Sequence, residues 1–257
     1  MTIYQHFRPE EHAFIDQVLE WKEIVTSTYS PKLSDFLDPR EQMIVKSVIG
    51  QNQDAMVQFF GGSPHSERCR AVIYPDYYVP TEEDFQLSLF EVEYPHKFVT
   101  IEHPQVLGSL MSLGLKRAKY GDILFEEERL QIIVAKEIAD FIRMNLQSIG
   151  RAKVTLVEKE SKQIIQIIEE WKEEFCTVSS MRLDVMIAEA YNLSRSKATP
   201  LIKGGVVKVN WRQVEETSFE CREGDILSVR GHGRCKITEI EGKTKRDKFR
   251  IKIGKAK

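Results

Sequence analysis

Residues 181–231 read MRLDVMIAEAYNLSRSKATPLIKGGVVKVNWRQVEETSFECREGDILSVRG. In RLDVMIAEAY, Leu183, Ile187 and Ala190 recur at helical spacing, which predicts a short helix with one apolar face and with Ser180 available as its cap. Asn192-Leu193-Ser194 breaks that pattern. Ser194 then stands where it can cap a second helix, RSKATPLIK, whose Ala198, Leu201 and Ile202 pack and which stops at Gly204-Gly205. Pro200 has no N–H to donate and should kink or tighten this helix. VVKVNW, ILSVRGHG and RCKITEI are β-like, with a turn at Glu223-Gly224-Asp225. A last hairpin is predicted with GKTKRDK at its tip and FRIKIGK as the returning strand.

The chemistry in this stretch is that of anion binding. A helix start that offers backbone N–H groups beside Arg195 and Lys197 is a phosphate site. Arg230-Gly231-His232-Gly233-Arg234 is basic and glycine-flanked, so its backbone can approach a phosphate closely. The candidate RNA-binding residues are Arg182, Ser194, Arg195, Lys197, Lys203, Lys208, Arg230, His232 and Arg234. Any one of these lysines alone reads more readily as a solvated face; it is their gathering on one small module that points to a ligand. Charge agrees. Residues 181–257 hold 18 Lys and Arg against 10 Asp and Glu, a net of +8, whereas residues 1–180 hold 19 against 29, a net of -10. Such asymmetry points to a nucleic-acid or membrane partner for the basic end, and a merely solubilising tail would be lower in complexity.

The runs RLD, SRSKA, LIKGGVVKVNW and EGDILSVRG resemble the alpha-L RNA-binding motif, the S-four domain. Many members carry glycine after the asparagine, where this chain has Trp211. With HPQVLGSLMSLGLKRAKYGDIL and EIADFIRMNLQSIGR upstream, the chain resembles the YlmH family of bacterial S-four-domain proteins over essentially its whole length, least distinctively at the N-terminus. The resemblance implies binding to ribosomal RNA of the large subunit and to transfer RNA, in the rescue of stalled nascent chains, with a link to cell division.

Outward from that module, an α+β, multidomain organisation is predicted: an N-terminal α/β domain over 1–80, a central domain over 81–160, a connector over 161–178 and the S-four domain with its basic hairpin over 179–257. Phe14, Ile15, Val18, Leu19 and Ile24 predict a first helix, with Arg8-Pro9-Glu10-Glu11 as its first turn, and a second helix starts after Asp38-Pro39. AMVQFFGG and CRAVIYP predict a hairpin. FQLSLFEVEY, PQVLGSLMSLGLKRA, Asp122 to Phe125, RLQIIVA, EIADFIRMNLQSIG and AKVTLVE give strand, helix, two strands, helix and strand, the order of a split βαβ fold. The expected apolar side of the first of those helices is Leu107, Leu110, Met111 and Leu115, and the second is expected to run to Gly150. RLQIIVA lacks the aromatic ring on which an RNA-recognition motif stacks a base, so an exposed turn at Lys116-Arg117-Ala118-Lys119-Tyr120 is either its RNA contact or a solvated loop. In the connector, Ile164, Ile165, Ile168 and Trp171 suit a short packed helix or strand.

Other functions lack their residues. No run approaches the roughly 20 apolar residues of a membrane span, and MTIYQHFRPEE has neither the basic nor the apolar part of a signal peptide, so a cytoplasmic protein without a membrane partner is expected. Cys69, Cys176, Cys221 and Cys235 form no CxxC pair, which predicts free thiols and no metal. Pseudouridine synthases need an aspartate in a GRLD-type motif, but Asp184 falls inside the module's own first helix and reads as a salt-bridge partner. A methyltransferase wants a glycine-rich turn after a strand; Gly61-Gly62 and Gly204-Gly205 are isolated pairs. Neither a catalytic residue nor a cofactor is therefore expected. The rival to a pure RNA-binding function, besides an RNA-modifying enzyme, is a division-machinery adaptor that docks proteins through its acidic first 180 residues.

Overall fold

The computed structural model describes residues 4, 7, 9–50, 54–166 and 171–256. The chain divides into two compact units between Ile167 and Ile168. Arg8 of the expected first turn and Ile168 of the expected connector lie outside the described residues.

Helix α1 spans His12–Thr28 and buries Ile15, Val18, Trp21 and Val25. The apolar stripe expected to include Leu19 is displaced, because Trp21 turns inward while Leu19 is left exposed. Strand β1 covers Lys32–Leu37 and α2 Pro39–Ile49. Asp38 caps α2 reciprocally: its carboxylate accepts from the Glu41 N–H at 2.9 Å, and the Glu41 carboxylate accepts from the Asp38 N–H at 2.7 Å. Strands β2, Met56–Phe60, and β3, Cys69–Tyr74, form the expected hairpin, and β1 adds on the far side of β3 to give the order β1-β3-β2.

The split βαβ fold follows in the same unit. Its parts are β4 Leu87–Glu93, α3 His103–Ser112, β5 Tyr120–Glu126, β6 Arg129–Ala135 and α4 Ala139–Asn145. The hairpin β7 Ser148–Ile149 and β8 Ala152–Lys153 then leads to β9 Thr155–Lys159. The sheet order is β5-β6-β4-β9, all antiparallel. Two expectations need correction. Helix α4 stops at Asn145, and Gly150, at φ +56, makes the β7–β8 turn rather than a helix cap. Helix α3 buries Val106 and Leu110, while Met111 is exposed and Leu115 lies beyond its end.

The turn from Lys116 to Tyr120 is not an exposed loop. Arg117 donates to the Tyr120 carbonyl, Lys119 bridges Asp35 and Glu137 at 2.6 and 2.9 Å, and Tyr120 is buried. Burial, with Arg68 nearby, pushes the Arg117 guanidinium down to about 10. The partners explain the correction: Phe36 of β1 sits in the core of the split βαβ fold. A Cβ at Gly121 would stand 2.7 Å from its ring, so glycine is required there.

The second unit begins inside the expected connector. Ile164 and Ile165 are buried in the first unit's core, whereas β10, Trp171–Val178, pairs along its length with β15, Phe249–Ala256. Between them come α5 Leu183–Ala190, α6 Arg195–Lys203, β11 Val207–Val209, β12 Arg212–Gln213, β13 Ile226–Val229 and β14 Gly233–Lys243. The sheet order is β10-β15-β14-β13-β11-β12. Leu183, Met186 and Ile187 of α5 and Ala198 and Ile202 of α6 share a core with Val207, Leu227, Cys235, Ile237 and Ile251.

Candidate nucleic-acid interface

Arg182 stands at the start of α5, but Ser180 does not cap this helix. Its first N–H groups go elsewhere: Leu183 donates to the Phe219 carbonyl at 2.8 Å and Asp184 to that of Thr217 at 3.2 Å. The loop before β13 therefore does the capping. Asp184, only 4% exposed, is the organising residue. It accepts from Arg182 Nε at 3.1 Å, from Arg195 Nη2 at 2.6 Å and from the Val185 N–H at 3.0 Å. Burial alone would raise its pKa, but hydrogen bonds and charge from Arg182 and Arg195 outweigh it and hold the carboxyl below its ordinary range. Both arginine side chains stay roughly half exposed, at 43% and 58%. Each guanidinium has more N–H groups than one carboxylate can accept, so each retains donors to offer a ligand.

Ser194 occupies the cap position of α6 without capping by its side chain; its Oγ lies 2.8 Å from that of Ser196. The first turn of α6 thus keeps its positive end uncovered by a side chain, with Arg195 and Lys197 exposed beside it. The helix absorbs Pro200 and runs on to Lys203, where the Gly204 N–H donates to the Pro200 carbonyl at 2.8 Å.

The remaining candidates lie elsewhere on the unit. Arg230 and His232 are exposed in the β13–β14 turn, where Gly231 and Gly233 take φ +83 and +88. That turn sits by the end of α5: the Tyr191 hydroxyl donates to the Gly233 carbonyl at 3.0 Å, and its ring centroid is 5.8 Å from that of His232. The Arg230 N–H reaches the Val206 carbonyl at 3.1 Å, just past Lys203 and the end of α6. Lys208 and Arg234, by contrast, each pair with Ser228, on the sheet face turned away from the helices. The expected single patch is therefore two: the helices with the glycine-flanked turn, and the outer sheet face. Asp184, expected from the RLD run as a salt-bridge partner, is one, and it anchors both Arg182 and Arg195.

Trp211 does not end a buried strand. Asn210 and Trp211, at φ +48 and +63, form the two-residue turn between β11 and β12, the left-handed geometry that favours glycine. The indole is half-buried and outside the core cluster. Asn210 holds the turn through Asp225 at 2.8 Å and the Ile226 N–H at 2.9 Å.

Family models match along the chain. One named for the N-terminal part of YlmH covers residues 10–78, one named for an RNA-binding domain in YlmH covers 80–163, and the S4 domain covers 181–227. The ribosome-associated protein quality control protein P2 of Bacillus subtilis (strain 168) is 49% identical over 257 residues, 99% of each chain. A solved structure, the cell division protein ylmH from Streptococcus pneumoniae, matches with a TM-score of 0.55 and 34% identity over 64% of this chain and 100% of that one. Fold and matches together define a multidomain α+β protein carrying a C-terminal S-four domain. The chain belongs to the YlmH family.

Proposed function

We propose that this protein is a non-catalytic RNA-binding factor of the ribosome, contacting large-subunit ribosomal RNA and transfer RNA in the cytoplasm and serving the quality control of stalled nascent chains. The observation that carries this reading is the pair Arg182 and Arg195, both held on buried Asp184, beside exposed Lys197 at the start of α6. Guanidinium groups fixed in advance lose little freedom on meeting a phosphate, and the uncovered helix start adds N–H donors. Asp184, engaged by two arginines and held ionised, is poorly suited to act as a catalytic base. The names of the relatives support the setting: one is named for ribosome-associated quality control and one for cell division. The acidic first 180 residues favour, as a second reading, protein docking that would connect the protein to division.

Sedimentation of the full chain with isolated large and small ribosomal subunits tests the proposal. Pelleting with the large subunit, reduced by added transfer RNA that competes for the basic surface, is expected. Pelleting with neither subunit, alongside recovery of division proteins after nuclease treatment, would favour the adaptor instead.

A further inference from the structure

The second unit's sheet has two chemically different faces. Residues directly opposite on neighbouring antiparallel strands share a face. The pairs Lys208 with Ser228, Ser228 with Arg234, Ile226 with Lys236, and Lys236 with Gly254 therefore lie on one side. The residues between them are buried on the other side with α5 and α6. On β10, at the sheet edge, Trp171, Glu173 and Phe175 continue the outer face. Trp171 leans across Gly254: a Cβ there would stand 2.8 Å from that of Trp171. Phe175 is 65% exposed, with Lys252 Nζ 5.6 Å from its ring centroid and that ammonium held by Glu173 at 2.6 Å.

A bare phenyl ring in mid-strand with a cation fixed against it needs an explanation. Docking of another protein would call for a contiguous apolar patch with charge depleted at its centre. This face offers the opposite. On the neighbouring β15, Lys252 and Arg250 stand nearest the rings, paired with Glu173 and Glu241, with Glu239 opposite Lys252; Lys236 and Arg234 on β14 and Lys208 on β11, the fourth strand from β10, extend the basic face across the sheet. Aromatic rings set in a cationic surface are what unpaired nucleotides bind, the ring stacking on a base and the cations following the phosphates. We infer that the outer sheet face is a second RNA site, separate from the α5–α6 surface, which takes single-stranded RNA with Phe175 as the stacking platform and Lys208 and Lys236 on the backbone.

Full-length wild type, Phe175→Leu and Phe175→Trp are titrated with a fluorescein-labelled oligouridylate, and their melting temperatures are compared. Stacking rather than burial predicts that leucine weakens binding about tenfold without lowering the melting temperature, and that tryptophan retains it. Two results would overturn the inference: wild-type affinity in Phe175→Leu, or equal loss in the leucine and tryptophan variants. So would unchanged RNA affinity in Phe175→Leu accompanied by release of a co-purifying protein, which would make the face a protein-docking surface.

Discussion

Asp184 joins stability to the proposed phosphate contacts at a single carboxylate. Its pKa is depressed in the folded chain because the arginine pair outweighs its burial. The sign follows: a depressed carboxyl contributes stability above its unfolded pKa, and that contribution is lost as pH falls through the folded value. Asp184→Asn keeps the shape and removes the charge, leaving Arg182 and Arg195 to repel each other. With half-exposed arginines the expected cost at neutral pH is about 1–3 kcal/mol, between that of exposed and buried pairs. Urea unfolding of both proteins across pH measures it, and the gap should begin to narrow as pH drops below about 4 and close only below the depressed folded value. A gap that persisted in acid would mean the loss is one of packing.

At the level of elements, the β11–β12 hairpin shows how local chemistry escapes a pattern. VVKVNW reads as a strand ending on a tryptophan, yet Asn210 and Trp211 turn the chain with both residues left-handed. Trp211→Ala removes the indole but keeps an unfavourable φ, whereas Trp211→Gly removes both. The glycine variant should melt higher than the alanine variant, by about 1 kcal/mol in stability, and the reverse order would show that the turn carries no such cost. The same distinction explains what else was legible. Asp38-Pro39 announces α2 because capping is a local act, complete within four residues. The helices α5 and α6 were legible from apolar spacing, and the stop of α6 at Gly204-Gly205 from glycine. Strand β10 was not, because WKEEFCTV turns Phe175 outward, and its pairing with β15 lies far along the chain. The turn at Lys116–Tyr120 looked exposed for a related reason: Asp35 and Phe36, which engage it, are distant in sequence. Ser180 resembled a cap only because the true acceptors, the carbonyls of Thr217 and Phe219, come from a loop after the helix.

Across the whole molecule, charge and architecture divide the work. The first unit ties its two domains together through Phe36 and through Arg70, which is buried and donates to Ser34, Gln86 and Glu137. It carries the acidic excess. The second carries the basic one, with the proposed phosphate contacts Arg195 and Lys197 on its helices. Phosphate binding releases counterions, so affinity falls with salt in proportion to the number of phosphates neutralised. Full-length wild type and the Arg195→Gln, Lys197→Gln double variant, both checked for intact folding, are therefore titrated against large ribosomal subunits at several salt concentrations. The expected result is weaker binding, with a slope of log affinity against log salt shallower by roughly 0.7–0.9 for each phosphate no longer neutralised; an unchanged slope, with the protein folded, would contradict RNA binding through the α5–α6 surface.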